Sequence, residues 1–130
     1  MSALSFAFAK LIVGQIDALE AFYTQALGLA VTVRIEVTEG DAPFRELFFG
    51  MPGAARPDFA LIEYPGQPVP PTGEALLSFM VADLEASIAA VEAHGGKRLT
   101  DPIEAPEWQT RLAFVMDPGG HQIELMQSLA

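Results

Sequence analysis

The segment DPGGHQIELMQ, Asp117 to Gln127, places a His and a Glu three residues apart beside apolar side chains. Imidazole and carboxylate are common ligands of divalent transition metals. A carboxylate among hydrocarbon is also a usual form of a catalytic acid or base. Five further charged groups stand in strand-like apolar runs: Lys10, Arg34, Glu46, Glu63 and Arg111. Arginines so placed can hold a substrate carboxylate through two parallel hydrogen bonds. Phe8, Phe48, Phe59 and Trp108 offer ring faces for stacking or for a cation. There is no cysteine, so a disulfide framework, a thiolate nucleophile and a Cys-ligated zinc are excluded.

The other His, His94, falls at the end of a helical pattern, where imidazole caps free carbonyls. His121 follows a Gly-Gly turn and lies at odd spacing from Glu124. On a regular strand it therefore points to the other side and is expected at the surface. Pro118, Gly119 and Gly120 predict a tight reversal between two strands.

These groups must be positioned by a chain of 130 residues, about half of them apolar, which suffices for a real core. Seven Lys+Arg against seventeen Asp+Glu give a formal charge of −10. That argues against nucleic acid as a partner, because phosphate binding needs clustered cations. It is compatible with steering of a cationic ligand. No apolar run approaches the ~20 residues of a membrane span. The opening MSALSFAFAK lacks a basic n-region before a long apolar stretch, so the expected location is the cytoplasm.

The pattern along the chain repeats. Residues 65–73, PGQPVPPTG, hold four prolines and two glycines and read as a linker. On either side, a strand-like run leads into a helical stripe. Leu4–Gly14 precedes Gln15–Gly28, with Ile16, Leu19, Phe22, Tyr23 and Leu27 at helical spacing. Ala75–Ala82 precedes Asp83–Gly96, with Leu84, Ile88 and Val91 in the stripe and Asp83 as N-cap. A shift of 68 residues lays Gln15 on Asp83 and Gly28 on Gly96. Three strand candidates follow each helix: Leu29–Val37, Phe44–Gly50 and Asp58–Tyr64, then Lys97–Ile103, Thr110–Met116 and His121–Gln127. The order βαβββ, twice, predicts an α+β fold of two tandem modules over 1–66 and 74–130, joined by a Pro-rich linker at 67–73.

Alternation sorts each strand into two faces. One face should be apolar and cover the helix. The opposite face is predicted to carry Phe8 and Lys10, Arg34, Glu46 and Phe48, then Phe59, Leu61 and Glu63. In the second module it is predicted to carry Leu76 and Ser78, Arg111 and Ala113, and Glu124 and Met126. Mostly apolar walls with a few placed polar groups are the composition of a small-molecule cleft.

Three stretches carry a family resemblance: LEAFYTQALGL (19–29), VADLEASIAAVEAHGG (81–96) and RLAFVMDPGGHQIELMQ (111–127). In order and spacing, the chain resembles the vicinal oxygen chelate superfamily, also called the glyoxalase I/bleomycin-resistance/extradiol-dioxygenase family. The resemblance implies paired βαβββ modules whose curved mixed sheets form a cleft, the glyoxalase/bleomycin resistance/dihydroxybiphenyl dioxygenase fold. It also implies a homodimer. Metal-dependent members of the family hold one divalent ion with His, Gln or Glu from the first and last strand of each module. The matching positions are Phe8, then Leu61 or Glu63, then Leu76, then Glu124. Two of these are hydrocarbon, so no metal or other cofactor is expected.

Two functions stay open. One is a metal-free binding protein that sequesters a small organic ligand, with Phe8, Phe48, Phe59 and Trp108 as walls and Glu46, Glu63 and Glu124 as acceptors for a cation. The other is a glyoxalase-type lyase or isomerase acting on a small carbonyl compound, metal-free or, as the lesser alternative, metal-dependent, with Glu124, or next Glu46, as general base. In that case Lys10 pairs with an acid, and Arg34 or Arg111 holds the substrate.

Overall fold

The computed structural model describes residues 1–130. Each half follows the order strand, helix, strands. The first contains β1 (Ala9–Ile12), α1 (Ile16–Gln25), β2 (Ala30–Val37), β3 (Phe44–Gly50) and β4 (Phe59–Glu63). The second contains β5 (Leu77–Met80), α2 (Leu84–Ala93), β6 (Lys97–Arg98), β7 (Ile103–Ala105), β8 (Thr110–Met116) and β9 (Gln122–Ser128). The strand expected over Lys97–Ile103 is thus two short pieces, both paired to β8. Pro102 lies between them and has no N–H for the ladder. No helix or strand forms between Glu63 and Leu77, where the prolines cluster.

The first sheet has the order β1-β4-β3-β2, with β1 parallel to β4 and the other pairs antiparallel. The second has the order β5-β9-β8-β6, again with its first and last strands parallel. The chain divides into two compact units. One comprises Met1–Ile16 with Leu29–Pro70, the other Asp17–Gly28 with Pro71–Ala130. Most of α1 therefore belongs to the second unit.

In the first unit the core side of the sheet carries Val13, Leu47, Phe49, Phe59 and Leu61, all buried. The Phe49 and Phe59 rings stack across β3 and β4 at 5.3 Å. In the second unit Ala113, Val115, Ile123 and Leu125 form the buried side, and Leu84, Ile88 and Val91 of α2 are fully buried with them. Phe22 and Tyr23 of α1 join this core, and the Tyr23 ring lies 6.4 Å from that of Phe79 on β5.

The helix ends are built as their residue types predict. Asp83 caps α2 through its carboxylate on the Ala86 amide at 3.0 Å. His94 closes the other end, its Nδ1 2.8 Å from the Ala90 carbonyl. Gly28, in the turn between α1 and β2, has φ 71°, a value that glycine adopts without steric cost.

Candidate functional site

Strand pairing corrects the predicted faces, because residues opposite one another in a ladder point to the same side. In the first unit Lys10 pairs with Ala60, Ala60 with Phe48, and Ile62 with Glu46. Phe8, Lys10, Glu46 and Phe48 share a face as expected, but their β4 neighbours are Ala60 and Ile62. Phe59, Leu61 and Glu63 lie on the opposite, core side. A bulge between Val31 and Val33 reverses the phase of β2. It turns Val33, Ile35 and Val37 toward the Glu46 side and leaves Arg34, which pairs with Leu47, on the other. Arg34 lines a shallow groove with Glu36, Arg45 and Glu46.

In the second unit Ser78 pairs with Glu124, and Glu124 with Phe114. The Glu124 face therefore carries Leu112, Phe114 and Met116. Arg111, Ala113 and Val115, predicted there, are on the helix side. Arg111 is occupied: its Nε donates to Glu104 at 2.6 Å, and its two terminal nitrogens donate to Glu85 of α2 at 3.1 and 2.5 Å. These bonds, that to Glu85 foremost, raise the pKa of Arg111, and the same contact lowers that of Glu85. Arg111 ties α2 to the sheet and is not placed to receive a substrate.

The Lys10 face of the first unit is only partly open: Glu46, Phe48, Ala60 and Ile62 are buried on it, and Lys10 reaches solvent. Its Nζ stands 2.6 Å from Oε2 of Glu46, whose side chain is only 4% exposed, while that of Lys10 is 42% exposed. The contact is an ion pair without hydrogen-bond alignment, and Oε2 has no hydrogen-bond partner. The Phe8 and Phe48 rings meet edge to face at 5.0 Å, and the ammonium lies 5.6 Å from each ring centroid, within cation–π range. Ile12, Val33, Ile35 and Val37 on this face are exposed hydrocarbon.

The open face of the second unit carries Glu124, whose Oε1 accepts the Ser78 hydroxyl at 2.8 Å. Leu76 and Met80 are exposed nearby on the same side of the strand path, and Met126 is half-buried. Trp108 sits in a 3-10 turn, Pro106–Trp108, and is 77% exposed rather than packed.

Sequence reasoning missed one cluster. Asp117 is buried and accepts from the Tyr23 hydroxyl at 2.7 Å, the Gly119 amide at 2.8 Å and the His121 amide at 3.0 Å. Nδ1 of His121 lies 2.9 and 2.8 Å from its two oxygens, so the proton on that nitrogen is assigned by the acceptor it faces. His121 is thus not a free surface residue. Burial first, then the Asp117 charge, raises the Tyr23 pKa well above its usual 10.0. No local pattern links Tyr23 to Asp117, which are 94 residues apart.

The two modules compare by register. Lys10 faces Ala60 as Ser78 faces Glu124. Glu63 Oε2 accepts the Ile16 amide at the start of α1, and Gln127 Oε1 accepts the Leu84 amide at the start of α2. The counterpart of Glu124 is therefore Ala60, neither Leu61 nor Glu63. At the metal positions implied by the family, Phe8, Ala60 and Leu76 offer no side-chain lone pair, and Glu124 alone does. No three His, Cys, Asp or Glu side chains are grouped to hold an ion. The donor set does not fit a divalent metal held in the family's manner, which needs three or four converging ligands.

Two βαβββ modules with parallel first and last strands define a glyoxalase-type α+β protein. The chain belongs to the Glyoxalase/Bleomycin resistance protein/Dioxygenase superfamily, whose family model matches residues 5–125. A glyoxalase family protein from Bacillus cereus superposes with a TM-score of 0.83 at 17% identity, covering 100% of this chain and 97% of that one. A glyoxalase I mutant from Zea mays gives 0.80 at 24% identity over 93% of this chain, which spans 45% of the maize protein. The trypanothione-dependent glyoxalase I of Leishmania major gives 0.75 at 25% identity, covering 96% and 87%. No curated protein matches the sequence significantly. No helix is long and apolar enough to cross a membrane.

Proposed function

We propose that this chain binds a small organic molecule on the open faces of its sheets, without the divalent ion of metal-dependent relatives. The observation that carries this reading is the side-chain set at the metal positions, three of them hydrocarbon. An apolar face holding one ion pair, as in the first unit, or one carboxylate, as in the second, suits a ligand with a hydrocarbon body and a polar end. The unpaired edge strand β2, with Val33, Ile35 and Val37 exposed, supports a homodimer as the assembled form.

A lyase or isomerase of the glyoxalase type is the second reading. It is favoured by Glu124, held by Ser78 on an apolar face, where a carboxylate can take a proton from the carbon beside a carbonyl and return it to a neighbouring atom. The structural relatives named glyoxalase I point the same way.

The test is a ligand screen by thermal shift on the purified chain, run with and without added nickel, zinc or manganese. Ligand-induced stabilisation with no gain from metal supports the proposal. Stabilisation that requires a metal overturns it. Glu124→Gln then separates the two readings. Turnover lost with binding kept selects the enzyme, and tight binding without turnover in the unaltered chain selects sequestration.

A further inference from the structure

The sign of the ligand's polar end follows from which half of the Lys10–Glu46 pair reaches solvent. Glu46 is 3% exposed, and its Oε2 has essentially no accessible surface. The Lys10 side chain is 42% exposed. A molecule arriving on this face meets the ammonium and cannot touch the carboxylate without first expelling it. We propose that Lys10 is an oxyanion subsite, receiving the carboxylate or polarised carbonyl oxygen of a small apolar acid. This assignment rests on the reading above, that the face binds a small organic molecule.

The geometry prepares Lys10 for that role. A free lysine swings on four rotatable bonds and loses entropy when a ligand fixes it. Here the ammonium is already held at one side by Glu46, 2.6 Å away, and lies 5.6 Å from the centroids of both the Phe8 and Phe48 rings. Such preorganisation lowers the cost of binding. An ammonium has three N–H donors, and the contact with Glu46 is a charge pairing without hydrogen-bond alignment, so donors remain for a ligand oxygen. The exposed hydrocarbon of Ile12, two residues along β1 on the same side, gives the ligand's body a surface.

The formal charge of −10 opposes an anion at long range. Physiological salt screens that repulsion beyond about 8 Å, so the choice of sign is made locally. A cationic ligand gains from the net charge, but it would have to displace Lys10 to reach the one carboxylate of this face.

The experiment uses three probes of one shape: benzoate, benzyl alcohol and benzylammonium. They are titrated into the full chain with aromatic ring NMR shifts as the readout. Benzoate is expected to bind most tightly and to shift the Phe8 and Phe48 resonances. Lys10→Met should weaken benzoate about tenfold or more, the loss expected for one charge-assisted contact, and leave benzyl alcohol within about twofold. Lys10→Arg should restore part of the benzoate affinity. The preference among probes in the unaltered chain needs no variant, so it stands even if a variant folds poorly. Preferred binding of benzylammonium, or benzoate binding indifferent to Lys10→Met, overturns the assignment. If benzyl alcohol binds and benzoate binds no better, only the Lys10 subsite falls. If none of the three binds, the small-molecule reading of this face falls with it.

Discussion

Glu63 accepts the backbone N–H of Ile16 at 3.2 Å, so the last strand of the first module closes the start of its helix. This carboxylate satisfies one of the amides that a helix N-terminus leaves without a partner, and its charge complements the helix dipole. It is a structural acid, on the core side of the sheet from Lys10 and Glu46. Replacing it by alanine should cost about 0.5–2 kcal/mol, the usual value of a lost N-terminal cap. Glu63→Gln, which keeps an acceptor as Gln127 does in the second module, should cost less. Urea denaturation of the two variants checks the order, and a larger loss for Gln than for Ala would refute the capping role.

Tyr23 should make stability fall at alkaline pH. Its folded pKa is raised, chiefly by burial and then by Asp117, above the value of about 10 in the unfolded chain. Below that value both states hold the proton and the contribution is complete. Above it the unfolded chain releases the proton first, so stability drops as pH rises toward the folded pKa. Tyr23→Phe removes this slope. It also loses a hydrogen bond to a charged group, a cost of about 1.5–3 kcal/mol at neutral pH. The difference in unfolding free energy between the two proteins should shrink above about pH 10. A difference that stays constant to higher pH would exclude the linkage.

Gly96 admits no side chain. A Cβ there would stand 2.6 Å from the Met116 carbonyl oxygen, 2.6 Å from Val91 Cγ1 and 2.9 Å from a Phe22 ring carbon. The first is backbone in β8, and the other two belong to the packed faces of α2 and α1, so none can yield cheaply. Gly96→Ala should destabilise by about 1–3 kcal/mol through overpacking. Gly40→Ala is the control for backbone strain alone, since Gly40 has φ 95° and open space around it. Thermal unfolding compares them. A Gly96→Ala protein as stable as the unaltered chain would show that β8 and the helices can move apart.

Much of the fold was legible because its signals are local or periodic. The stripes of Leu19 and Phe22, or of Ile88 and Val91, could bury one side only as helices. Asp83 and His94 are capping types at capping positions, and the prolines of 65–73 exclude regular structure. The doubled order βαβββ followed from these alone. Face assignment was less secure because β4 and most of β8 are apolar at consecutive positions. β4 is buried on both sides and β8 is apolar on its half-exposed side as well, so neither shows the polar alternation that sets a strand's phase. Phe59, Leu61, Glu63 and Arg111 were assigned to the wrong side for that reason, and Arg34 because a bulge is invisible in a run of β-branched residues.

By itself the sequence determined the order of strands and helices, their turns, and a family two of whose metal positions, Phe8 and Leu76, are hydrocarbon here. It also placed Glu124 on an open face, since β9 alternates clearly between Ile123, Leu125 and their polar neighbours. Only the tertiary structure decided which charges meet. Lys10 found Glu46 through the β1-β4-β3 ladder, Arg111 was taken by Glu85 and Glu104, and Tyr23 and His121 converged on Asp117. The physical reason is that a charge in a partly dry interior must be paired or hydrogen-bonded. Which partner satisfies it depends on strand register and helix docking, distances that no spacing along the chain records.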